Sequence, residues 1–358
     1  MNNVGYTDGA PYAPFQNYID IAQLAKSTIT EKLVDTMPIR GFTYGYLANR
    51  GQIRSQQGLY SQEKMYQLGV NWVCLAVVNY QSTYASTDIH SDYYRTPTDW
   101  DIMAFVSNAR KHNVKICLKP MVNSEDGIWR AHIGFPDLKT DDMNSYWDKW
   151  FKSYTNYILH YAELARELKI EMLCIGCEMI GTEHREADWL NLISKIRNIY
   201  QGKIVYNTNH GHEDSVAWFD ALDYIGISAY YPVGKNGTTK DDMTKAWTDV
   251  KYRLDAIAEN RGKQYIFMEI GCRSGDGCSA KPYDCVVSDE KWNEEEQANF
   301  YESCFEVFKN DKYFAGVFWW QWSTCIYDSR ESAKRDTGFD IHLKKAEEVV
   351  KNHYIATK

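Results

Sequence analysis

Two glutamates in this chain stand where carboxylates are uncommon. Glu178 follows the apolar run of EMLCIGCEM (171–179), and Glu269 follows that of YIFMEIG (265–271). An ionisable group at the end of a buried run is costly unless it finds a partner, reaches solvent or is kept for proton transfer. One such residue reads most simply as a strand-end glutamate paired at a rim. Two on the same pattern ask for a common purpose, and two carboxyls facing one space have one in the cleavage of a glycosidic bond. At about 5–5.5 Å apart one serves as nucleophile and the other as acid and base, whereas about 6.5–9.5 Å leaves room for an inverting water. Either route needs one group protonated and the other ionised at the start, which repulsion and unequal surroundings provide.

Other polar residues end apolar runs in the same way. Tyr230, in ISAYYP, is either a hydroxyl donor beside a nucleophile or an ordinary strand-end tyrosine. Asn79, Tyr80, Lys119, Asn123, Asn207, Asn209 and His210 suit sugar hydroxyls. Trp129 beside Arg130 (DGIWRAHI) and the cluster Trp319, Trp320 and Trp322 offer rings for a sugar face. Strand alternation sends neighbours to opposite faces, so Trp320 or Trp322 is the expected platform. HGHED (210–214) has two histidines that could chelate, but the remaining strand ends carry none, and neither metal nor cofactor is expected. Cys272, Cys278 and Cys285 share one loop and could pair or bind metal, although their spacings differ from the common zinc patterns.

The elements that must position these residues alternate regularly. Strand candidates are 41–46, 71–80, 114–123, 171–178, 203–209, 224–230, 265–271 and 314–322. Between them apolar residues recur at three and four, as in Trp147, Phe151, Tyr154, Ile158, Tyr161 and Ala165, so a helix is expected after each strand. Near-continuous apolar strands imply a parallel sheet covered by helices, and eight such units close a (β/α)8 TIM barrel. A doubly wound open sheet is the competing arrangement, but GFTYGYLANRG lacks a dinucleotide-binding glycine spacing. The long links 81–98, 124–145 and 272–293 all follow strands, which places the working face at the strands' C-terminal ends.

Composition bounds the partners. At 358 residues with no compositional break, one barrel domain over 37–358 is expected, preceded by an extension over 1–36 whose helix-like IDIAQLAKSTITEKLV would cap the barrel bottom. A net charge of -8 with no basic arm argues against nucleic acid. No window approaches the ~18 apolar residues of a membrane span, and the first residues lack the sections of a signal peptide, so a soluble cytoplasmic chain is expected. Nine cysteines, several within apolar runs, suit a reducing compartment.

RGFTYGY, GVNWVCLAV, the TPTD of 96–99, CLKPMVN, CIGCEM with TEHRE after it, VYNTNHGHED, DYIGISAYYPVG and FMEIG together resemble glycoside hydrolase family 113, a β-mannanase family in the clan of retaining barrel glycosidases. The resemblance runs from about Arg40 to the eighth strand. It implies Glu178 as general acid and base, Glu269 as nucleophile, Tyr230 as the hydroxyl near the nucleophile, and hydrolysis of β-1,4-mannosidic bonds in mannan or manno-oligosaccharides with retention. That clan usually carries Asn before the acid/base, where it meets the sugar 2-hydroxyl; here the position is Cys177, leaving the contact to Asn123 or Asn209. The competing readings are another β-glycosidase specificity (glucan, xylan or chitosan type) and a catalytically silent sugar-binding barrel.

Overall fold

Apolar residues on both faces of a strand must be covered from both sides, and a closed parallel sheet inside a ring of helices does this. The computed structural model describes residues 38–140, 142–235, 237–285 and 291–356; the expected extension over 1–36 lies outside them. Eight strands, β1 (Ile39–Tyr44), β2 (Trp72–Gln81), β3 (Lys115–Ser124), β4 (Met172–Cys177), β5 (Lys203–Asn209), β6 (Tyr224–Ser228), β7 (Tyr265–Ile270) and β8 (Phe314–Trp322), pair in chain order and close β8 onto β1. Every pairing is parallel. The fold is therefore a (β/α)8 barrel, and the open sheet is excluded.

Around it lie α1 (Gln56–Tyr66), α2 (Asp99–Lys111), α3 (Tyr146–Glu167), α4 (Ile180–Glu183), α5 (Glu186–Arg197), α6 (Lys240–Arg261), α7 (Glu294–Phe308), α8 (Arg330–Ala333) and α9 (Lys345–Ala356). The helical spacing over 147–165 is the buried face of α3. Thr98, Ser145 and Thr239 start α2, α3 and α6 with reciprocal caps to Asp101, Asp148 and Asp242, which fixes where the preceding loops end. None of the described helices is long and apolar enough to cross a membrane.

One expected helix is missing. A 3-10 turn, Ala217–Ala221, joins β5 to β6, because a parallel crossover needs only about a dozen residues. Trp218 from this turn fills the space, its ring stacked on Trp189 of α5 at 4.5 Å.

Inside the barrel Trp72, Cys74, Cys117, Met172, Cys174, Val205, Ile266, Met268 and Phe318 form an apolar core, while Leu173, Ile175, Phe267 and Ile270 face the helices. Three strands then lose step near their C-terminal ends. On β4 the pairing advances from Cys174 to Cys177 while β5 advances from Val205 to Asn207. On β7 it moves from Phe267 to Glu269 against Ile227 to Ser228 of β6. On β8 it runs from Trp319 to Trp322 against Phe42 to Tyr44 of β1. Each is one extra residue, a bulge that turns the following side chains to the other face.

Trp218→Ala should therefore destabilise the fold by about 3–5 kcal/mol, read as a lower urea midpoint with an unchanged slope.

Candidate active site

The bulge on β7 decides where Glu269 goes. Met268 already points inward, so regular alternation would send Glu269 out among the helices. With the extra residue it too faces the interior, 3% exposed. Its Oε1 is contacted by the Lys119 ammonium of β3, the Cys177 thiol of β4 (3.3 Å) and the Asn207 amide of β5 (3.3 Å). Oε2 accepts from the Tyr230 hydroxyl at 3.2 Å. Burial, then the charges of Glu269 and Glu178, push the Tyr230 phenol well above its ordinary range, so it remains a donor. An ammonium and three neutral donors are the surroundings a buried carboxylate needs.

Glu178 follows the bulge on β4 and takes a left-handed backbone (φ 55), with its N–H donating to Asn207 O at 2.7 Å. Its Oε2 accepts from Arg130 Nη1 at 2.9 Å and Trp129 Nε1 at 3.2 Å. Burial, seconded by Glu269, raises its pKa; Arg130, Lys119 and a hydrogen bond from Ser228 pull the other way, and the upward effects prevail. This carboxyl holds its proton to a higher pH than an ordinary glutamate.

Several residues expected to meet sugar do other work. Lys119 is fully buried on Glu269, because a charge in the barrel interior must sit against its counter-charge. Arg130 is buried and committed to protein partners: it donates to Glu178, to Val122 O at 3.1 Å and to Asn123 Oδ1 at 2.6 Å. Asn123 thus serves Arg130. Asn79 bonds Tyr161 and Ser91 on the outer side of β2. Trp322 is core: past the bulge it turns outward, donates to Ser61 O at 3.1 Å and packs on Phe42. Trp320 is the half-buried ring, tilted against Tyr46 at 4.7 Å, and the Trp320–Gln321 peptide is cis. Trp129 keeps 44% of its surface exposed beside Glu178. Asn209 is buried with no partner for Oδ1. His210 lies between Tyr231 and the exposed Tyr283, and burial lowers its pKa.

The sequence reading passed over two rings. Tyr46 ends the β1 segment and was legible as a strand-end tyrosine. Phe339 packs edge-on against Tyr230 at 6.4 Å, from a segment beyond the last strand that carries no periodic signal.

In HGHED, Glu213 is buried and accepts from Gly211 N (2.8 Å), Arg253 (3.2 Å) and Tyr231, so the turn is stitched to its neighbours. Cys272 and Cys278 are free buried thiols 3.4 Å apart, and Cys285 is exposed. Among the described residues no group of three or more His, Cys, Asp or Glu is placed to hold a metal ion. A cavity of about 570 Å³, lined in part by Asn79, Asp99, Tyr157 and His160, is separate from both glutamates.

A carboxyl whose pKa is raised by burial and a carboxyl braced by donors, beside the rings of Trp129 and Trp320, have the parts for acid-assisted displacement at a sugar carbon. Curated proteins offer no match. The structure is similar to a GH113 β-1,4-mannanase, with TM-score 0.82 and 32% identity over 89% of this chain and 99% of that one. It is similar also to the GH113 β-mannanase AaManA of Alicyclobacillus acidocaldarius in complex with ManMIm, with TM-score 0.83 and 34% identity over 90% and 99%. A Faecalibacterium prausnitzii β-glucuronidase shares the fold alone, with TM-score 0.56 and 12% identity over 90% of this chain and 49% of that one. The model for Glycoside Hydrolase Family 113 matches residues 42–344. The chain is a glycoside hydrolase and belongs to glycoside hydrolase family 113.

Proposed function

We propose that this glycoside hydrolase cleaves β-1,4-mannosidic bonds with retention, with Glu269 as nucleophile and Glu178 as acid and base. The observation that carries the assignment is the unequal setting of the two carboxyls: Glu269 against an ammonium, Glu178 raised by burial. Glu269 Oε2 attacks the anomeric carbon while the bond to the leaving oxygen breaks, and Glu178 gives that oxygen its proton. Water then attacks the same carbon, Glu178 takes a proton from it, and the bond to Glu269 breaks to return the carboxylate. Tyr230, donating to Oε2, orients the attacking atom and accompanies the charge as it leaves and returns.

Mannose as the sugar is supported by the GH113 relatives, which are β-mannanases. Of the two asparagines considered for the 2-hydroxyl, Asn123 is committed to Arg130, and Asn209 has an unused oxygen. We assign that contact to Asn209. Trp320 and Trp129 supply the rings for neighbouring units.

Glu269→Ala should abolish mannan hydrolysis, and NMR of the first product from the unaltered enzyme should show the β anomer; an α anomer would exclude double displacement. Because Glu178 acts protonated and its pKa is raised, activity persists above the ordinary carboxylate range and falls as pH rises through that pKa. Glu178→Gln should remove this basic limb and cost roughly 10²–10⁴ in kcat on mannan, less on aryl mannosides that depart without a proton. Asn209→Ala should lower kcat/KM for mannosides by roughly 10- to 100-fold, with a smaller loss for 2-deoxy analogues.

A further inference from the structure

The two oxygens of Glu269 live in different surroundings. Oε1 meets three donors from three strands, Lys119, Cys177 and Asn207, whereas Oε2 has the Tyr230 hydroxyl. We propose that Lys119 is a positioning residue for the hydrolysis that acts through Glu269, its ammonium fixing which oxygen attacks the sugar and how readily that oxygen departs. This rests on Glu269 being the nucleophile.

Lys119 is closed off from any ligand, with 0% exposure. Burial opposes its charge, but the acidic groups around it outweigh this, and it stays protonated through the working pH range. The groups facing Glu269 can be named from each side. Cys177 and Tyr230 are neutral, since burial pushes both up. Asn207 carries no charge, and burial raises the Glu178 pKa. Arg130 is bonded to Glu178 at 2.9 Å. Lys119 is therefore the cation in contact with Glu269.

Its effect on the two steps is opposite. In the first, Glu269 gives up its negative charge to the new bond between Oε2 and the anomeric carbon, Oε1 becoming the carbonyl oxygen. A cation at Oε1 weakens that attack. In the second, water displaces the carboxylate and the charge returns beside Lys119, which stabilises the departing group. Lys119 thus favours turnover of the covalent intermediate.

The test uses the full chain. A 2-deoxy-2-fluoro β-mannosyl fluoride should label Glu269, located by peptide mapping. Lys119→Met removes the charge and keeps much of the side chain's length. With a dinitrophenyl β-mannoside, kcat and KM should fall together by about tenfold or more, with a burst of dinitrophenolate as the intermediate accumulates. Lys119→Arg, which keeps the charge, should show neither the joint fall nor the burst. Should Lys119→Met fail to fold, Lys119→Gln carries the same expectation. A label absent from Glu269 would overturn the nucleophile assignment and this inference with it. A label on Glu269 with neither the joint fall nor the burst in Lys119→Met, or an equal fall in Lys119→Arg, would overturn the role of Lys119 alone.

Discussion

A strand in a closed barrel admits every second side chain to the interior, and this rule of alternation is what the site has to break. Kept in step, β7 would show Met268 to the interior and Glu269 to the helices, and β4 would turn Cys177 outward. One extra residue on each strand reverses the phase where the apolar core ends. Below the bulges the interior is sulfur and hydrocarbon; above them it is Lys119, Cys177, Asn207, Ser228 and Glu269. The third bulge, on β8, separates Trp320 from Trp322, leaving one ring half-buried against Tyr46 and giving the other to the core.

Within that polar layer the two glutamates are kept different by what they touch. Glu269 is ringed by donors that come straight from strands, so its carboxylate is held by the most rigid part of the molecule. Glu178 is met by Arg130 and Trp129 from the loop after β3, and by a bulk of protein that excludes water. Arg130 alone would favour the anion. Burial and the charge of Glu269 outweigh it, and the carboxyl's pKa rises.

Much of the architecture could be read from residue order, because eight apolar runs with helical spacing between them admit few arrangements. Both glutamates were legible for the same reason, each a charge at the end of a buried run. What could not be read was phase and partnership. Two-residue alternation pairs Trp320 with Trp322, and only the register against β1 shows the extra residue between Trp319 and Trp322. Lys119 and Asn123 look like sugar-binding polar groups until Glu269 and Arg130, distant in sequence, are seen to occupy them. The link after β5 looked helical, but a short crossover plugged by one indole suffices.

The Lys119–Glu269 contact joins residues 150 apart in the chain, one in each half of the barrel. A sheet assembled only as far as β4 carries the Lys119 ammonium without its carboxylate partner, and a sheet made of β5–β8 carries the converse. Each half alone exposes or strands a charge that the other half neutralises. These two charges therefore penalise half-built sheets during folding, and they reward the one assembly in which all eight strands have met.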